Sequence, residues 1–478
     1  MAPAHLALTL SALATTALHL AAAAPSPRAP PPSQQQPQHI SIPLKRRANA
    51  HAPHQRRDQD AYWRKAQAMK GKYGGSRRTG TTTKSASSSN SKARRQNSIG
   101  MTSYQDSEWY GEIDVGTPPT GFSVVLDTGS ADLILAEPNC QGCETNTPGY
   151  DPTSSSTSAT QESSFQITYG SGSGSGELVL DTVSIANYTQ PEQIFAACST
   201  LDNIVDGEIS GILGLGWTAL AASKAVPLVE SLAHNGSLPE QVFGFAFETH
   251  TFTTASADTA PGGTLTIGGV DTSAYSGEIN WINIVEPHTY WAIPLEGMTV
   301  GGTDLGITDD SVVIDTGTTL IGMPSSVVES VYSAIPNSQA INLQGESGYY
   351  AFPCDQEVEV SLQFGGVQYP VDPDQFNAGA VDTSGRLCLG AVFALETDSD
   401  SVSVIVGDAF LTGVYNAYRL SSPAAVGFAT LGSGGTANTG SSASSSVSGS
   451  GGNGAATLGA KGGAVLAAVG GAVVALFA

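Results

Sequence analysis

Short runs in which apolar and polar residues alternate dominate the chain between residues 101 and 431. Examples are residues 122–126, 264–267 and 358–362, and clusters of Gly, Pro, Asp and Ser separate such runs. Alternation with a period of two indicates half-buried strands, and the intervening clusters are typical of turns. Only residues 225–234 and 325–335 carry apolar residues at helical spacing near a Ser or Pro. The pattern therefore predicts an all-β body with non-local strand pairing and a few short helices.

The N-terminal segments differ from this body. Residues 1–23 are apolar, rich in Ala and Leu, and end in small residues, which is typical of a secretory signal peptide. Residues 24–95 are rich in Pro and Gln, then basic, then rich in Ser and Thr, so they contain little that could form a core and are predicted to be a propeptide. The propeptide ends in a dibasic pair, which predicts processing after Arg95; the alternative is that the pair belongs only to a solvated basic arm.

The C-terminal segments form a tail of small residues. Residues 432–454 form a Ser/Gly-rich stalk, and residues 455–478 end in an apolar run with nothing polar after it. This arrangement is typical of a GPI-attachment signal, with Asn453 as the predicted attachment residue; a weak transmembrane anchor or a disordered tail are the alternatives. We therefore expect passage through the secretory pathway and anchoring, as a lipoprotein, at the plasma membrane or cell wall, with release into the medium as a further outcome.

Charge is distributed very unevenly. Residues 1–95 carry 16 Lys and Arg against two acids, or +14, whereas the residues after them carry 40 acids and four bases, or −36. A basic arm ahead of an acidic body predicts that the arm docks on the body and inhibits it, with residues 45–47 pairing with acidic groups of the site. The body would repel phosphates, so we expect no nucleic-acid partner. The crowding of carboxylates also predicts greatest stability in mild acid.

Asp-Thr-Gly occurs twice, at residues 127–129 and 315–317. Each copy follows three apolar residues and precedes a hydroxyl residue, Ser130 or Thr318. A single copy is also common in turns, but two copies with the same kinds of flanking residues predict an internal duplication. We therefore expect two similar lobes, at residues 96–280 and 281–431, that meet at a pseudo-twofold axis.

The duplicated motif suggests a chemistry. Two carboxylates held close together share a proton, so one can activate a water while the other donates to a carbonyl oxygen. Asp127 and Asp315 are the predicted catalytic pair, and no metal or other cofactor is needed. The predicted supporting residues are Thr128 and Thr316, which would lock the two loops together, Gly129 and Gly317, which would let backbone amides approach, and Ser130 and Thr318, which would bind the outer carboxylate oxygens.

From about residue 104 to residue 431 the chain resembles the pepsin-like aspartic proteases. The resemblance rests on the two Asp-Thr-Gly copies and on residues 110–118, 167–172, 209–216 and 403–408. It implies a bilobal pepsin-like fold and an aspartic-type endopeptidase, a hydrolase that cleaves polypeptides in acid. The implied flap and substrate-binding residues are Tyr169, Gly170 and Ser171, with Val125 and Ile212 lining the pocket beside the scissile bond. In one respect the chain departs from the family, because Ile134 stands where a Trp that supports the flap is expected.

The five cysteines suit a secreted protein. A tight Cys140–Cys143 disulfide is preferred over zinc binding, since no second pair accompanies it. Cys354 and Cys388 match the disulfide of the second lobe in the resembling family, which leaves Cys198 without a partner. Asn187 and Asn235 begin Asn-x-Thr and Asn-x-Ser sequences and are predicted glycosylation sites.

The order of the segments is similar to that of the GPI-anchored fungal proteases called yapsins. That layout suggests cleavage at Lys or Arg, which Asp206 and Glu208 would favour, as an alternative to a preference for apolar side chains. A catalytically inactive, wall-anchored binding or structural protein on the same fold is the alternative function. We expect a monomer, since the two halves of one chain supply both carboxylates.

Overall fold

A computed structural model describes residues 40–46, 103–104, 108–169, 172–205, 207, 209–249, 260–343, 345–382, 384–395 and 402–432. Of residues 40–46, 103, 104, 108 and 260 it describes the backbone alone. The predicted signal peptide, the predicted stalk beyond Gly432 and the predicted anchor signal lie outside the described residues, as do Arg95, Gly170, Ser171, Asp206, Glu208 and Asn453.

Strands make up most of this part of the chain, and their bounds are as follows. They are β1 (Ile40–Arg46), β2 (Ser103–Tyr104), β3 (Glu108–Val115), β4 (Thr120–Asp127), β5 (Leu133–Gln141), β6 (Ala159–Thr168), β7 (Ser173–Ile185), β8 (Tyr188–Asp202), β9 (Gly211–Gly214), β10 (Val242–Phe247), β11 (Ala260–Ile267), β12 (Tyr275–Asn283), β13 (Ala292–Leu295), β14 (Gly297–Val300), β15 (Thr303–Asp304), β16 (Asp309–Ile314), β17 (Ile321–Met323), β18 (Gln339–Leu343), β19 (Glu346–Pro353), β20 (Val360–Phe364), β21 (Val367–Val371), β22 (Asn377–Ala380), β23 (Leu387–Gly390), β24 (Val392–Ala394), β25 (Val404–Val406), β26 (Val414–Arg419) and β27 (Ala425–Leu431).

The helices are few and short, as the sequence pattern predicts. They are α1 (Leu228–His234), α2 (Ser325–Ser333), α3 (Pro373–Phe376) and α4 (Asp408–Leu411), with 3-10 turns at Pro152–Ser154 and Thr218–Leu220. Helix α1 begins later than the predicted residue 225 because Pro227, with extended backbone, occupies its N-cap position. The prediction of an all-β body with a few short helices is confirmed.

Asp127 lies at the end of β4, which is one of five neighbouring strands in the first half. Their order is β3, β4, β9, β5 and β8, and β4 runs parallel to β9 while β5 is antiparallel to β9 and parallel to β8. Leu126 faces Leu213 across the β4–β9 pair, and Leu133 faces the same Leu213 from β5. The strand that ends at Asp127 is therefore enclosed on both sides.

The second half repeats this arrangement strand for strand. The order is β13, β16, β25, β17 and β24, with β16 parallel to β25, β17 antiparallel to β25, and β17 parallel to β24. Ile314 and Ile321 both face Val406, as Leu126 and Leu133 both face Leu213. The predicted duplication into two pseudo-symmetric lobes is thus present in the strand register.

A shared antiparallel sheet joins the halves. Strand β10 of the first half pairs with β26 of the second, with Phe243 facing Tyr418, while β11 pairs with β10 and β27 pairs with β26. Strand β12 pairs with β27 and crosses residue 280, the predicted boundary between the lobes. Strand β1 inserts between β11 and β3, with Lys45 opposite Tyr110. Strand β1 lies within the predicted propeptide, for which the composition predicts no strand, although its apolar residues Ile40, Ile42 and Leu44 stand at every second position.

The structure forms both predicted disulfides, Cys140–Cys143 and Cys354–Cys388, and leaves Cys198 buried and reduced. The second disulfide spans 34 residues and the first spans three. In the chain-entropy account a longer closed loop restricts the unfolded chain more. We expect replacement of Cys354 and Cys388 by Ala to lower the free energy of unfolding by about 3–4 kcal/mol, against about 2 kcal/mol for the Cys140 and Cys143 pair. Urea unfolding of the two double variants tests this, and the reverse order would contradict it.

A buried carboxylate on β7 connects stability to pH. Asp181 accepts hydrogen bonds from Thr157 Oγ1 at 2.6 Å, Tyr150 Oη at 2.7 Å and the Thr182 amide at 2.8 Å. Burial alone would raise the pKa of Asp181, but these hydrogen bonds outweigh it and hold the pKa below its usual value. A lowered pKa in the folded state stabilises the protein above the unfolded pKa, near pH 4, and this stabilisation is lost as the pH falls through the folded pKa.

We therefore expect Asp181→Asn to lower the free energy of unfolding by about 1–3 kcal/mol at pH 6. The deficit should shrink at pH 3, because below about pH 4 the unfolded wild-type chain binds a proton at this carboxyl and the stabilisation by the folded carboxylate decreases. Melting curves at both pH values measure it, with the exposed Asp310→Asn as the control for loss of one charge. A deficit that grew on acidification would contradict this reading of Asp181.

Candidate active site

Asp127 ends β4, and Asp315 follows directly on β16. Backbone hydrogen bonds attach the loop of each aspartate to the strand that runs parallel to its own strand, or to the residues just after it. That strand is β9 for Asp127 and β25 for Asp315. Leu215 donates its amide to Asp127 O at 2.8 Å, and Asp315 donates its own amide to Val406 O at 3.0 Å. Further along the same two segments, the amide of Gly216 donates to Ser130 O and the amide of Asp408 donates to Thr318 O, both at 2.7 Å. Both aspartate side chains are buried, so their surroundings rather than bulk water hold the carboxylates in position.

The threonines of the two motifs exchange hydrogen bonds between the lobes. The Thr128 amide donates to Thr316 Oγ1 at 3.1 Å, and the Thr316 amide donates to Thr128 Oγ1 at 3.0 Å. Each hydroxyl in turn donates to the carbonyl that precedes the opposite aspartate, Ile314 O at 2.9 Å and Leu126 O at 2.7 Å. Four buried hydrogen bonds therefore fix the distance between the two aspartate loops, at the positions where the sequence suggests a lock.

Each carboxylate is oriented by its own loop in the same way. Asp127 Oδ1 accepts from the Gly129 amide at 2.9 Å, and Asp127 Oδ2 accepts from Ser130 Oγ at 2.5 Å. Asp315 Oδ1 accepts from the Gly317 amide at 2.9 Å, and Asp315 Oδ2 accepts from Thr318 Oγ1 at 2.5 Å. The duplication thus extends from the strand register to single hydrogen bonds.

The two motif glycines bring the carboxylates together across the axis. A Cβ on Gly129 would come within 2.5 Å of both carboxylate oxygens of Asp315, and a Cβ on Gly317 would overlap Asp127 Oδ1. Neither glycine has the left-handed backbone that glycine alone adopts freely, so the requirement is for space. Each loop therefore touches the carboxylate of the opposite lobe, and Asp127 and Asp315 are neighbours in one buried site.

The predicted flap tyrosine lies in a separate apolar cluster above β4. Tyr169 is buried with Val125, Ile212 and Ile134, so the structure collects the predicted pocket residues around it. Its amide donates to Gly172 O at 2.8 Å, which closes the turn between β6 and β7. Gly170 and Ser171, the other predicted flap residues, are outside the described residues.

The hydroxyl of Tyr169 is buried and has no hydrogen-bond partner among the described residues. Burial raises the pKa of this phenol well above its usual value, and negative charge on Asp132 and Asp127 adds to the rise. Ser130 is close enough to Tyr169 to act against this increase in pKa, although its hydroxyl is outside hydrogen-bonding geometry. Ile134, which replaces the expected Trp, has no donor or acceptor to offer, so Tyr169 stays protonated and is held by packing.

The remaining predicted site residues lie away from the dyad. Asn187 and Asn235 are exposed in turns of the first lobe, and Asn235 Nδ2 donates to Gln190 Oε1 at 2.7 Å. No group of His, Cys, Asp and Glu side chains in the described part of the chain is arranged to hold a metal ion. None of the helices described for the chain has the length and apolar character that crossing a bilayer requires.

Sequence reasoning missed three residues next to the site. Asp132 is buried and accepts from the amides of Ala222 and Ser223, at 2.7 Å and 3.0 Å, which ties the first motif to the segment before α1. Trp217 and Trp291 pack together beneath the motifs, with ring centroids 4.6 Å apart. The sequence carries no signal for these three residues, because their contacts join segments that are far apart along the chain.

The geometry supports general acid–base catalysis with a water molecule. Two carboxylates in contact with each other's loops, buried and bound by identical donors, are equivalent enough to share one proton. No serine or cysteine nucleophile with a histidine base competes for this role in the described site.

Comparison with known proteins agrees with this assignment. Residues 108–431 match the family model described as eukaryotic aspartyl protease. The chain is 40% identical to major aspartyl peptidase 1 of Cryptococcus neoformans var. grubii over 69% of this chain and 70% of the relative. It is 33% identical to an aspartic protease of Phaffia rhodozyma, over 68% of this chain and 76% of that protein, and 31% identical to gastricsin of Mus musculus, over 67% and 80%.

The chain therefore belongs to the eukaryotic aspartyl protease family, and the pepsin-like bilobal fold expected from the sequence is confirmed. It is an aspartic-type endopeptidase, a hydrolase that acts on polypeptides.

Proposed function

We propose that Asp127 and Asp315 perform the hydrolysis, with a water molecule as the nucleophile. The observation that carries the proposal is the reciprocal contact of Gly129 with Asp315 and of Gly317 with Asp127. This contact brings each carboxylate against the loop of the opposite lobe, and we take Oδ1 of each aspartate as the inner oxygen, since Oδ2 accepts from a hydroxyl. Both carboxylates come from one chain, which supports a monomer as the active form.

In the proposed reaction the ionised carboxylate takes a proton from the water as its oxygen attacks the peptide carbonyl. The protonated carboxyl donates its proton to the carbonyl oxygen, which gives a neutral tetrahedral intermediate. Collapse of the intermediate breaks the C–N bond, and the amine leaves with a proton returned from the dyad. The hydroxyl groups of Ser130 and Thr318 keep the outer oxygens occupied, so the inner oxygens do the proton transfers.

Direct attack by water predicts that no covalent acyl-enzyme forms. Cleavage of a peptide with added hydroxylamine should therefore give only the free carboxylic acid and no hydroxamate. In water enriched in oxygen-18, one heavy oxygen should enter the new carboxyl group in a single turnover. A hydroxamate product would refute the mechanism while leaving peptide cleavage itself intact.

We further propose that the enzyme is made as a zymogen. Strand β1 precedes the predicted processing site at Arg95, and its pairing with β11 and β3 supports docking of the propeptide on the body. The contrast between the +14 of residues 1–95 and the −36 of the rest supports release in acid, where carboxylates bind protons. The proposed pairing of residues 45–47 with Asp127 and Asp315 remains a prediction, since it concerns side chains outside the described ones.

The zymogen proposal is tested by comparing the uncleaved chain with the chain processed after Arg95. At pH 7 the uncleaved form should cleave a fluorogenic peptide at least ten times more slowly, and the difference should fall after incubation at pH 4. Arg95→Ala should block processing and preserve the difference. Equal rates of both forms at pH 7 would rule out inhibition by the propeptide.

We also propose secretion and attachment to the cell surface. The support is the sequence of residues 1–23, 432–454 and 455–478. Phosphatidylinositol-specific phospholipase C should release the protein from intact expressing cells, and Asn453→Gln should prevent or shift the attachment. Retention of the protein on cells after the enzyme treatment would count against a GPI anchor.

For specificity we propose a preference for apolar side chains beside the scissile bond. Val125, Ile212 and Ile134 surround Tyr169 in one buried apolar cluster. Cleavage-site profiling with a peptide library should show Phe, Leu or Met enriched next to the cut. Enrichment of Lys or Arg would instead favour the alternative, basic specificity.

A further inference from the structure

We infer that Trp291 is a positioning residue that fixes the two aspartate loops relative to each other from beneath, in addition to the threonine exchange. The inference rests on the proposed roles of Asp127 and Asp315. Trp291 lies directly before β13 and is fully buried.

The two ends of Trp291 bind different lobes. Its backbone carbonyl accepts the amide of Ile314 at 3.0 Å, one residue before Asp315. Its indole Nε1 donates to Leu215 O at 2.9 Å. Leu215 in turn donates its amide to Asp127 O. A single residue thus connects the residue that precedes one aspartate, through its backbone, to the residue that holds the other, through its side chain.

Aromatic neighbours restrict the rotation of the indole. Trp217 packs on it with ring centroids 4.6 Å apart, Tyr418 meets it edge-on at 5.2 Å, and Phe243 meets it edge-on at 5.8 Å. Trp217 lies shortly after β9 of the first lobe, and Phe243 and Tyr418 lie in the sheet that joins the lobes. Because the ring cannot turn without moving these residues, the Nε1–Leu215 hydrogen bond has a fixed direction.

The register supplies an internal control. In the β13–β16 pair Ala292 faces Val313, so Trp291 is level with Ile314. In the β3–β4 pair Tyr110 faces Val125, so Trp109 is level with Leu126. Trp109 and Trp291 therefore occupy equivalent positions in the two halves. The Nε1 of Trp109 is buried but has no hydrogen-bond partner among the described residues, and its ring packs on Phe247 instead. Only the second-half indole makes the tie between the lobes.

The distance between two carboxylates that share a proton sets the gap between their two apparent pKa values. Loss of the Trp291 tie should loosen that distance. It should therefore alter the pH dependence of catalysis and lower the rate of the chemical step, with little effect on substrate binding.

The test compares Trp291→Phe with Trp109→Phe in the processed enzyme, at a temperature where both are folded. We expect kcat of Trp291→Phe to fall at least ten-fold with KM within two-fold, and its profile of kcat/KM against pH to change in width by at least half a pH unit. Trp109→Phe, which loses the same volume, should keep the wild-type kcat and profile. An unchanged profile in Trp291→Phe, or equal changes in both variants, would overturn the inference.

Should Trp291→Phe fail to fold, incorporation of benzothienylalanine at position 291 keeps the ring size and removes only the N–H. The same change in kcat and pH profile is then expected, and wild-type kinetics would overturn the inference. An inactive wild type or an active Asp127→Asn variant would instead refute the assignment of the dyad, independently of Trp291.

Discussion

Replacement of Asp127 or Asp315 by Asn should reduce kcat about 100- to 10,000-fold while leaving the fold intact. Asn has the shape of Asp, and its oxygen can still accept from the amide of Gly129 or Gly317. It can neither take a proton from water nor share one with its neighbour, so both proton-transfer roles are lost. The two variants should be nearly equal in effect, because the donors around the two carboxylates are the same.

Hydrolysis of a fluorogenic peptide at pH 4 measures this loss. Asp181→Asn is the matched control, since it removes a buried, hydrogen-bonded carboxylate of the first lobe that is not part of the dyad. Assayed below its melting temperature, this control should retain wild-type kcat. Substantial activity in either dyad variant, with melting temperatures unchanged, would contradict the assignment of that aspartate.

Gly129→Ala and Gly317→Ala should each reduce kcat at least about 100-fold, because a methyl group would displace the carboxylate of the opposite lobe. The overlap should also lower the free energy of unfolding by about 1–3 kcal/mol. The threonine exchange prevents the loops from moving apart to relieve the contact. The reduction in activity should therefore exceed what the loss of stability alone would cause.

Gly413→Ala provides the control for this pair. The first atoms that a Cβ at Gly413 would meet lie at 3.4 Å, an ordinary van der Waals distance, and its backbone is not left-handed. This substitution should leave both kcat and melting temperature close to wild type. Near-normal activity in Gly129→Ala would show that the two loops are farther apart than the structure has them.

Much of the site could be predicted from residue types in the sequence. The paired Asp-Thr-Gly motifs indicate two carboxylates, two locking threonines and two outer hydroxyls, because each role requires a particular functional group at a particular offset. The structure has Thr128, Thr316, Ser130 and Thr318 in those contacts. Local patterning likewise indicates the strands and the short helices.

The contacts between the lobes could not be predicted in the same way. Position 129 requires glycine because Asp315, which lies 186 residues later in the sequence, packs against it in the folded protein. The tie from Trp291 to Leu215 depends on a backbone carbonyl, which has no signature in the side-chain sequence. The strand Ile40–Arg46 is short and contains a proline, and it is paired by β11 and β3, which lie far from it in the sequence.

The most direct test of the account is the pH dependence of peptide cleavage by the processed enzyme, measured with and without a statine-type mimic of the tetrahedral intermediate. A proton-sharing pair predicts a bell-shaped profile of kcat/KM with its maximum below pH 6, and complete inhibition by the mimic at stoichiometric concentration. The absence of cleavage between pH 3 and pH 6, or cleavage that the mimic does not inhibit, would contradict the central claim that Asp127 and Asp315 act together on a bound water.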